Sequence, residues 1–160
     1  MNIESLIKTI RTETPFIAMQ AIHELGEMQD PQAAEVLIEV LYYGNVMTQQ
    51  AAAEALATYN EDKVAEALCT ALKETSPMVR LKIVKSMERL NRRDTIPSLM
   101  MALRGEEAES LQYTIIEVLG NMNAVQARDL IASYLMHPNQ HVRKRAHNAF
   151  KKLSATSGDS

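Results

Sequence analysis

Apolar residues recur along this chain at a constant distance of 31 positions. In each repeat a first apolar residue is followed by others one and four places further on, which is the spacing of one face of an α-helix. We therefore predict a first helix of about 11 residues in every repeat, and we name it the A helix. The column that defines the A helices is leucine throughout: Leu6, Leu37, Leu68, Leu99 and Leu130.

A second set of apolar columns lies further along each repeat and predicts a second helix, the B helix, of about 13–15 residues. The step between columns stays at 31 except between the third and fourth repeats, where it is 32. The additional residue falls in the segment 104–109, which reads RGEEAE and is typical of a loop that tolerates insertion. The two columns that best define the B helices are Ala21, Ala52, Ile83, Ile115 and Ala146, and Leu25, Leu56, Met87, Leu119 and Phe150.

Proline and capping residues lie between these predicted helices. Pro15, Pro77 and Pro138 fall near the starts of B helices, where a missing backbone N–H does no harm. Asp30 and Asp94 offer side-chain caps for the starts of A helices. Such regular interruptions exclude a continuous coiled coil, which needs unbroken heptads.

Five pairs of helices at this period predict an all-α protein, an α-solenoid in which neighbouring repeats bury a shared core. We predict a single repeat domain over residues 1–155, followed by a flexible tail at 156–160. Its repeats are expected at about 2–30, 31–62, 63–94, 95–125 and 126–155.

Composition agrees with an all-α fold and limits the cellular compartments in which the protein is expected. Aromatic residues make up 4% of the chain and tryptophan is absent, which disfavours a β-sandwich or barrel. No apolar run approaches the ~20 residues of a membrane span, and the N-terminus shows no signal peptide. The single cysteine, Cys69, occupies an apolar column and is interpreted as a buried structural thiol, while Met47 and Met78 at B-helix starts are expected to be partly exposed. We expect a cytoplasmic protein.

Three segments carry a recognisable repeat motif. Residues 76–80 read SPMVR, residues 138–143 read PNQHVR, and residues 21–31 read AIHELGEMQDP. These segments resemble HEAT-like repeats, specifically the short prokaryotic type grouped with the phycobilisome-lyase HEAT-like repeats. The resemblance covers nearly the whole chain and implies the solenoid fold, but it says little about function because this repeat serves many roles.

The resemblance also implies which residues hold the repeats together and which face a partner. In HEAT-like repeats the B helices line the concave surface, and the motif arginine bridges to an acid or carbonyl of an adjacent repeat. We therefore interpret Arg80 and Arg143 as structural arginines. The exposed B-helix positions are the predicted partner-binding residues: Lys82, Lys85, Arg89, His23, Glu27, Glu54, Arg145 and Lys152.

Charge is distributed unevenly along the chain. The net charge is −3, but residues 1–79 hold 12 Asp and Glu against 4 Lys and Arg, and residues 80–160 hold 8 against 13. Lys82, Lys85 and Arg89 share one helix face because they are three and four residues apart. Such a face is either simply solvated or part of a binding surface. The uneven charge favours a charged partner, or weak association between copies of the chain.

Candidate catalytic or metal-binding residues are few. His23-Glu24 is a His-Glu pair on a B helix, and several such pairs hold the iron in the di-iron HEAT-repeat hydroxylases, but the pair occurs once here. His137, His141 and His147 cluster in the last repeat, where polar capping residues are expected. No phosphate loop, nucleophile elbow or zinc-ligand spacing is present. We predict no metal site, no catalytic residue and no enzyme acting alone.

Three functions remain open at this stage. The first is a non-catalytic scaffold without a cofactor, which binds a protein with an acidic or mixed-charge segment on the concave B-helix surface. The alternative, implied by the resemblance, is an accessory role like that of phycobilin lyase subunits, with an open-chain tetrapyrrole (a bilin) held through its propionates. Nucleic-acid binding by the basic C-terminal half is disfavoured by the isoelectric point near 5.8 and the scarcity of aromatic residues.

Overall fold

The computed structural model describes residues 1–106 and 108–155, and the regular structure of that part is helical. It forms two compact units, of which the first is residues 1–90. A helices and B helices alternate along this unit, as the 31-residue pattern predicts. Its six helices are α1 (Ile3–Thr12), α2 (Pro15–Met28), α3 (Pro31–Tyr43), α4 (Val46–Leu56), α5 (Asp62–Glu74) and α6 (Pro77–Leu90).

The second unit begins at residue 91 and continues the same alternation. Single turns of 3₁₀ helix, at Arg93–Thr95 and Val125–Ala127, lead into its two A helices. Its α-helices are α7 (Ile96–Gly105), α8 (Glu109–Asn121), α9 (Arg128–Ala132) and α10 (Gln140–Ala155).

The all-α repeat fold predicted from the sequence is confirmed. The B-helix column that begins at Ala21 is buried in all five repeats, and the leucine column of the A helices is fully buried in the first four. The prediction of a single domain over residues 1–155 stays a prediction. The tail 156–160 and the inserted segment's Glu107 lie outside the described residues.

Capping side chains and prolines set where the helices begin. Pro15, Pro31 and Pro77 are the first residues of α2, α3 and α6, where no intrahelical partner is lost. Asp30 caps α3 as predicted, since its carboxylate accepts a hydrogen bond from the Gln32 N–H at 2.8 Å. The same prediction for Asp94 is wrong. Asp94 lies inside the 3₁₀ turn, and its carboxylate accepts from the Arg92 guanidinium at 2.6 and 3.0 Å.

That contact also determines how Asp94 titrates. The hydrogen bond from Arg92 holds the pKa of the Asp94 carboxyl below its ordinary value. The guanidinium therefore stabilises the ionised carboxylate, and the stabilisation is lost as pH falls through the lowered pKa.

The A helix of the fifth repeat is much shorter than predicted. An A helix of about 11 residues was expected there, but α9 has 5 residues and Leu130 is only half-buried. After α9 the chain continues in tight turns, in which the N–H groups of Tyr134 and Leu135 bond carbonyls three residues earlier. The Tyr134 hydroxyl donates to the Leu103 carbonyl of α7 at 3.0 Å, and this contact holds the turn against the neighbouring helix. Burial raises the pKa of Tyr134.

Two smaller expectations also need correction. The B helix α4 has 11 residues, fewer than the predicted ~13–15, because the chain turns at Ala57. Cys69 is partly exposed rather than buried.

Neighbouring B helices approach each other closely through small residues. A Cβ placed on Gly26 of α2 would lie 3.0 Å from Ala55 Cβ of α4, and one on Gly120 of α8 would lie 2.9 Å from Ala149 Cβ of α10. Because backbone lies directly behind both alanines, these pairs fix how near the helices come. The same glycine–alanine contact therefore organises a B-helix pair in each unit.

Side-chain hydrogen bonds to main-chain carbonyls reinforce this packing. The Thr58 hydroxyl donates to the Gly26 carbonyl at 2.7 Å, and the buried Tyr59 hydroxyl donates to the Leu25 carbonyl at 2.5 Å. The Ser86 hydroxyl of α6 donates to the Ala53 carbonyl of α4 at 2.7 Å. Burial raises the pKa of Tyr59, which therefore stays protonated and able to donate.

Replacing the contact glycine of the second unit should destabilise it. Gly120→Ala places a methyl group against the Ala149 backbone, and we expect the free energy of unfolding to fall by about 1–2 kcal/mol, despite the better helix propensity of alanine. Gly105→Ala is the matched control, because nothing lies within 4 Å of its added Cβ. Chemical denaturation of both variants measures the difference, and a Gly120→Ala protein as stable as the control would contradict the close contact.

Candidate functional site

The exposed sides of α2, α4 and α6 form one surface of the first unit, which we call the B-helix face. α2 packs on α4, and α4 packs on α6. Side-chain contacts between these neighbours join residues 28, 32 and 33 positions apart. Since these separations are close to the repeat period, the three helices run parallel and nearly in register. Equivalent positions of successive repeats therefore form rows across the face.

A groove of about 320 Å³ opens on this face. Small residues on α2 and α4 leave space for it between longer charged side chains. Its lining combines both signs of charge with apolar and small residues: Met19, His23, Gly26, Glu27, Ala51, Glu54, Ala55, Thr58 and Arg89.

The predicted binding lysines of the first unit form ion pairs, and His23 contacts Glu27. Lys82 Nζ lies 3.3 Å from Glu54 Oε2, so this pair joins α6 to α4. His23 Nε2 lies 3.4 Å from Glu27 Oε1, one turn further along α2. Lys85 Nζ lies 3.8 Å from an oxygen of Glu88. All of these pairs are solvent-accessible, so they order the face without burying its charge.

Arg89 differs from the other cations of the face. It is exposed and lines the groove together with Glu27 and Glu54. None of the residues that the structure describes makes a hydrogen bond or ion pair with its guanidinium. A planar group with five donors is thus available to an acceptor from outside the unit.

The second unit has a groove of its own at the equivalent repeat positions. Arg145 Nε lies 3.2 Å from Glu117 Oε2, and its guanidinium carbon is 4.6 Å from the centre of the Tyr113 ring. Lys152 Nζ donates to Asn121 Oδ1 at 2.7 Å. This groove has a volume of about 260 Å³ and is lined by Glu117, Gly120, Asn121, Arg145, Asn148, Ala149 and Lys152. Two cations against one carboxylate make its lining more basic than that of the first groove.

The arginines interpreted as structural contact backbone near the starts of their B helices. Arg80 Nη2 lies 3.5 Å from the Lys73 carbonyl, near the end of α5. Arg143 Nη1 donates to the His137 carbonyl at 2.7 Å. These two acceptors belong to the same repeat as the arginines that contact them, and the bridge to an adjacent repeat that the resemblance implies stays a prediction. These contacts tie a B helix to the segment that precedes it.

The histidines and acids considered for metal binding lie apart from one another. His137 stacks on the Tyr134 ring at 6.1 Å and accepts a hydrogen bond from the Asn139 N–H, whereas His141 and His147 are exposed. Within residues 1–106 and 108–155, no three His, Cys, Asp or Glu side chains come together as metal ligands. No helix in that part of the chain combines the length and the apolar character that crossing a bilayer requires.

The exposure of Phe16 on the B-helix face was not predicted from the sequence. Met47 and Met78 were expected to be partly exposed, and they are, at 49% and 64%. Phe16 is exposed as well, at 68%, and all three are the second residue of a B helix. Their common spacing of 31 was visible in the sequence. The expectation for Met47 and Met78 was not extended to Phe16, which lies 31 residues before Met47.

These features define a class of all-α repeat protein in which exposed B-helix positions form a mixed apolar and charged surface. Comparison with known sequences points to the HEAT repeats. The profile of HEAT repeats matches residues 44–111, and the profile of the PBS lyase HEAT-like repeat matches residues 18–43. Together the two matches, across residues 18–111, support a HEAT-like repeat protein of the phycobilisome-lyase type. No curated protein matches it in sequence.

Solved structures of three kinds resemble the fold. A chain from the complex of CpcE and CpcF of phycocyanin lyase from Nostoc sp. PCC7120 matches 97% of this chain at 24% identity, with a TM-score of 0.75. This chain spans 66% of that one, or about two thirds of its length. Human deoxyhypusine hydroxylase in complex with glycerol matches 95% of this chain and 73% of its own, at 16% identity and a TM-score of 0.59. An engineered protein matches 97% and 98%, at 16% identity and 0.56.

Exposed ion pairs between B helices should contribute little to stability. Lys82→Ala removes an exposed pair, and we expect the free energy of unfolding to fall by less than ~0.5 kcal/mol. Arg145→Ala should cost more, about 1 kcal/mol, because the half-buried guanidinium also lies over the Tyr113 ring. Urea denaturation of both variants gives the comparison. A loss above ~1.5 kcal/mol for Lys82→Ala would show that the pair is structural.

Proposed function

We propose that this chain is a non-catalytic interaction module that binds a protein segment on the B-helix face of its first unit. The observation that carries the proposal is the groove in which Arg89 stands near Glu27 and Glu54, with its guanidinium unengaged by any residue that the structure describes. Because the groove presents both signs of charge, the segment that fits it has mixed charge. Exposed ion pairs around the groove are exchanged at little cost when a partner supplies its own charges.

The comparisons support a protein as the ligand. The lyase chain with a similar fold was solved in a complex of two proteins, CpcE and CpcF. Repeats of the HEAT type stack side by side and leave their B helices exposed on one surface. Such a surface suits an elongated protein segment.

Charge reversal on the B-helix face tests this proposal. Lys82→Glu/Lys85→Glu/Arg89→Glu should reduce partner capture from an extract of the native host at least tenfold, because the acidic part of the segment then meets like charge. Captured proteins are identified and quantified by mass spectrometry, and circular dichroism checks that helicity is unchanged.

The matched control changes the same number of charges on the A helices. Lys8→Glu/Lys73→Glu/Arg104→Glu alters three exposed cations of α1, α5 and α7 and should leave capture unchanged. If both triple variants capture the same proteins as the unaltered chain, the B-helix face does not bind the partner.

A second candidate function is an accessory role in bilin handling. The profile match to the PBS lyase HEAT-like repeat covers residues 18–43, which include Met19, His23 and Glu27 of the groove. Lys82 and Arg89 lie on the same face and are the residues that would meet the two propionates of a bilin. The groove volume of about 320 Å³ is at the small end of ligand sites, so the pigment would lie across the face rather than inside it.

Optical titration separates this role from protein binding. If the chain holds a bilin, mixing the two should shift and sharpen the long-wavelength absorption band, and the triple variant of the B-helix face should abolish the shift. A spectrum equal to the sum of the separate components would remove the bilin role and leave the protein-binding proposal intact.

A further inference from the structure

Each B helix of the first unit exposes a large apolar side chain at the same repeat position. Phe16, Met47 and Met78 are 68%, 49% and 64% exposed, and each is the second residue of its helix. Because α2, α4 and α6 run parallel and nearly in register, the three side chains form one row, which we call the apolar row. Exposed apolar groups in a contiguous arrangement typically mark an interaction site.

The apolar row is confined to the first unit. The same position in the second unit is polar, namely Ser110 in α8 and His141 in α10. One turn further along the first unit's helices, Leu81 is 40% exposed and Met19 half-buried, so the apolar surface continues beyond the row. The repeat itself therefore does not require an apolar residue at this position.

A pocket lined mainly by apolar residues, with the Arg11–Glu39 ion pair also in its lining, lies beside the helical turns that begin α2 and α4. It has a volume of about 220 Å³ and lies where α1 and α3 meet the first turns of α2 and α4. Pro15 and Thr48 in its lining belong to the same helical turns as Phe16 and Met47. Tyr43, which is 85% exposed, stands at its edge. A single large apolar side chain fills a space of this size. Its apolar lining is Ile7, Ile10, Pro15, Ala18, Val36, Val40 and Tyr43.

Charge on the face is ordered across the three helices. Seven residues beyond the apolar row α4 presents Glu54, and four and seven residues beyond it α6 presents Lys82 and Lys85. Glu27 and Arg89 are 11 residues beyond the row, about 16 Å along their helices, and lie outside the reach of a segment over the first turns. A segment lying across the helices thus meets an acid over α4 and bases over α6, and electrostatic complementarity requires bases and acids, respectively, in those parts of the segment.

We propose that the segment bound on this face is an amphipathic α-helix of another protein, which lies across the first turns of α2, α4 and α6. This inference rests on the proposed function and specifies the partner. Adjacent packed helices are about 8–10 Å apart, and residues seven apart on an α-helix rise about 10.5 Å, so apolar residues at i, i+7 and i+14 match the row. Same-face residues of an extended strand recur at about 6.7 and 13 Å and match it poorly.

The spacing fixes the sequence of the partner helix. It carries large apolar residues at i, i+7 and i+14, a further large apolar residue at one end for the pocket, basic residues in one half and acidic residues in the other. Methionine suits such a surface, because its flexible side chain adapts to the helix that docks on it.

A synthetic peptide of this pattern tests the inference. The probe is a fluorescein-labelled 21-residue helix with leucine at i, i+7 and i+14, tryptophan at the pocket end, arginines near the tryptophan and glutamates at the other end. Fluorescence anisotropy should show saturable binding to the full chain. A peptide of identical composition with its leucines scattered around the helix should bind at least tenfold more weakly.

Variants of the apolar row provide the second part of the peptide-binding test. Met47→Ser/Met78→Ser should weaken binding of the probe about tenfold or more, since two anchoring contacts are lost. Met101→Ser/Met136→Ser changes two exposed methionines of the second unit and should leave the dissociation constant unchanged. Circular dichroism of both variants establishes that they are folded.

Each remaining outcome overturns the inference. Equal binding of the patterned and scattered peptides, no saturable binding, or tighter binding of a proline-rich peptide rules out a docked α-helix. A dimer seen by light scattering in the unaltered chain and lost in Met47→Ser/Met78→Ser identifies the occupant as a second copy. If capture from the host extract depends on Lys82, Lys85 and Arg89 but is unaffected by Met47→Ser/Met78→Ser, the inference fails while the proposed function stands.

Discussion

The close contact between consecutive B helices is the constraint on which the rest of the structure depends. Gly26 against Ala55, and Gly120 against Ala149, leave no room for a larger side chain. Backbones brought this near can share hydrogen bonds, and the hydroxyls of Thr58 and Ser86 donate to carbonyls of the preceding B helix. These bonds join groups whose positions vary little, so they set the register of one helix against the next.

The register between neighbouring B helices in turn aligns equivalent exposed residues into one surface. Because equivalent residues of α2, α4 and α6 fall into rows, one exposed apolar residue per repeat becomes an apolar row and one charged residue per repeat becomes an ordered set of charges. The groove with Arg89 in its lining lies on this surface, above the contact between Gly26 and Ala55. Residues that stabilise the fold and residues available to a partner thus occupy opposite sides of the same helices, so the exposed side is free to vary.

The period of the sequence was sufficient to predict the fold but not its details. Buried columns repeat because every repeat packs against its neighbours in the same way, and this regularity is visible in one sequence. This regularity fails where a single side-chain contact determines the local structure. Asp94 binds Arg92 instead of capping a helix, and α9 gives way to turns beside the bond from Tyr134 to Leu103.

The candidate site shows the same limit. Exposed B-helix positions follow from the helical period, and the structure places Lys82, Lys85 and Arg89 on one face as the spacing predicts. Their partners do not follow from it, because the contact of Lys82 with Glu54 depends on the offset between two helices. Phe16 could not be told from a core residue by its identity alone, although it occupies the same repeat position as Met47 and Met78.

The central claim is that a partner docks on the B-helix face of the first unit. The most direct measurement is methyl NMR of the chain labelled with ¹³C at its methionine methyl groups, recorded with and without the partner segment. The methyl resonances of Met47 and Met78 should shift on binding, while those of Met101 and Met136 should stay in place. Unchanged Met47 and Met78 resonances at saturating partner, or shifts confined to the second unit's methionines, would contradict it.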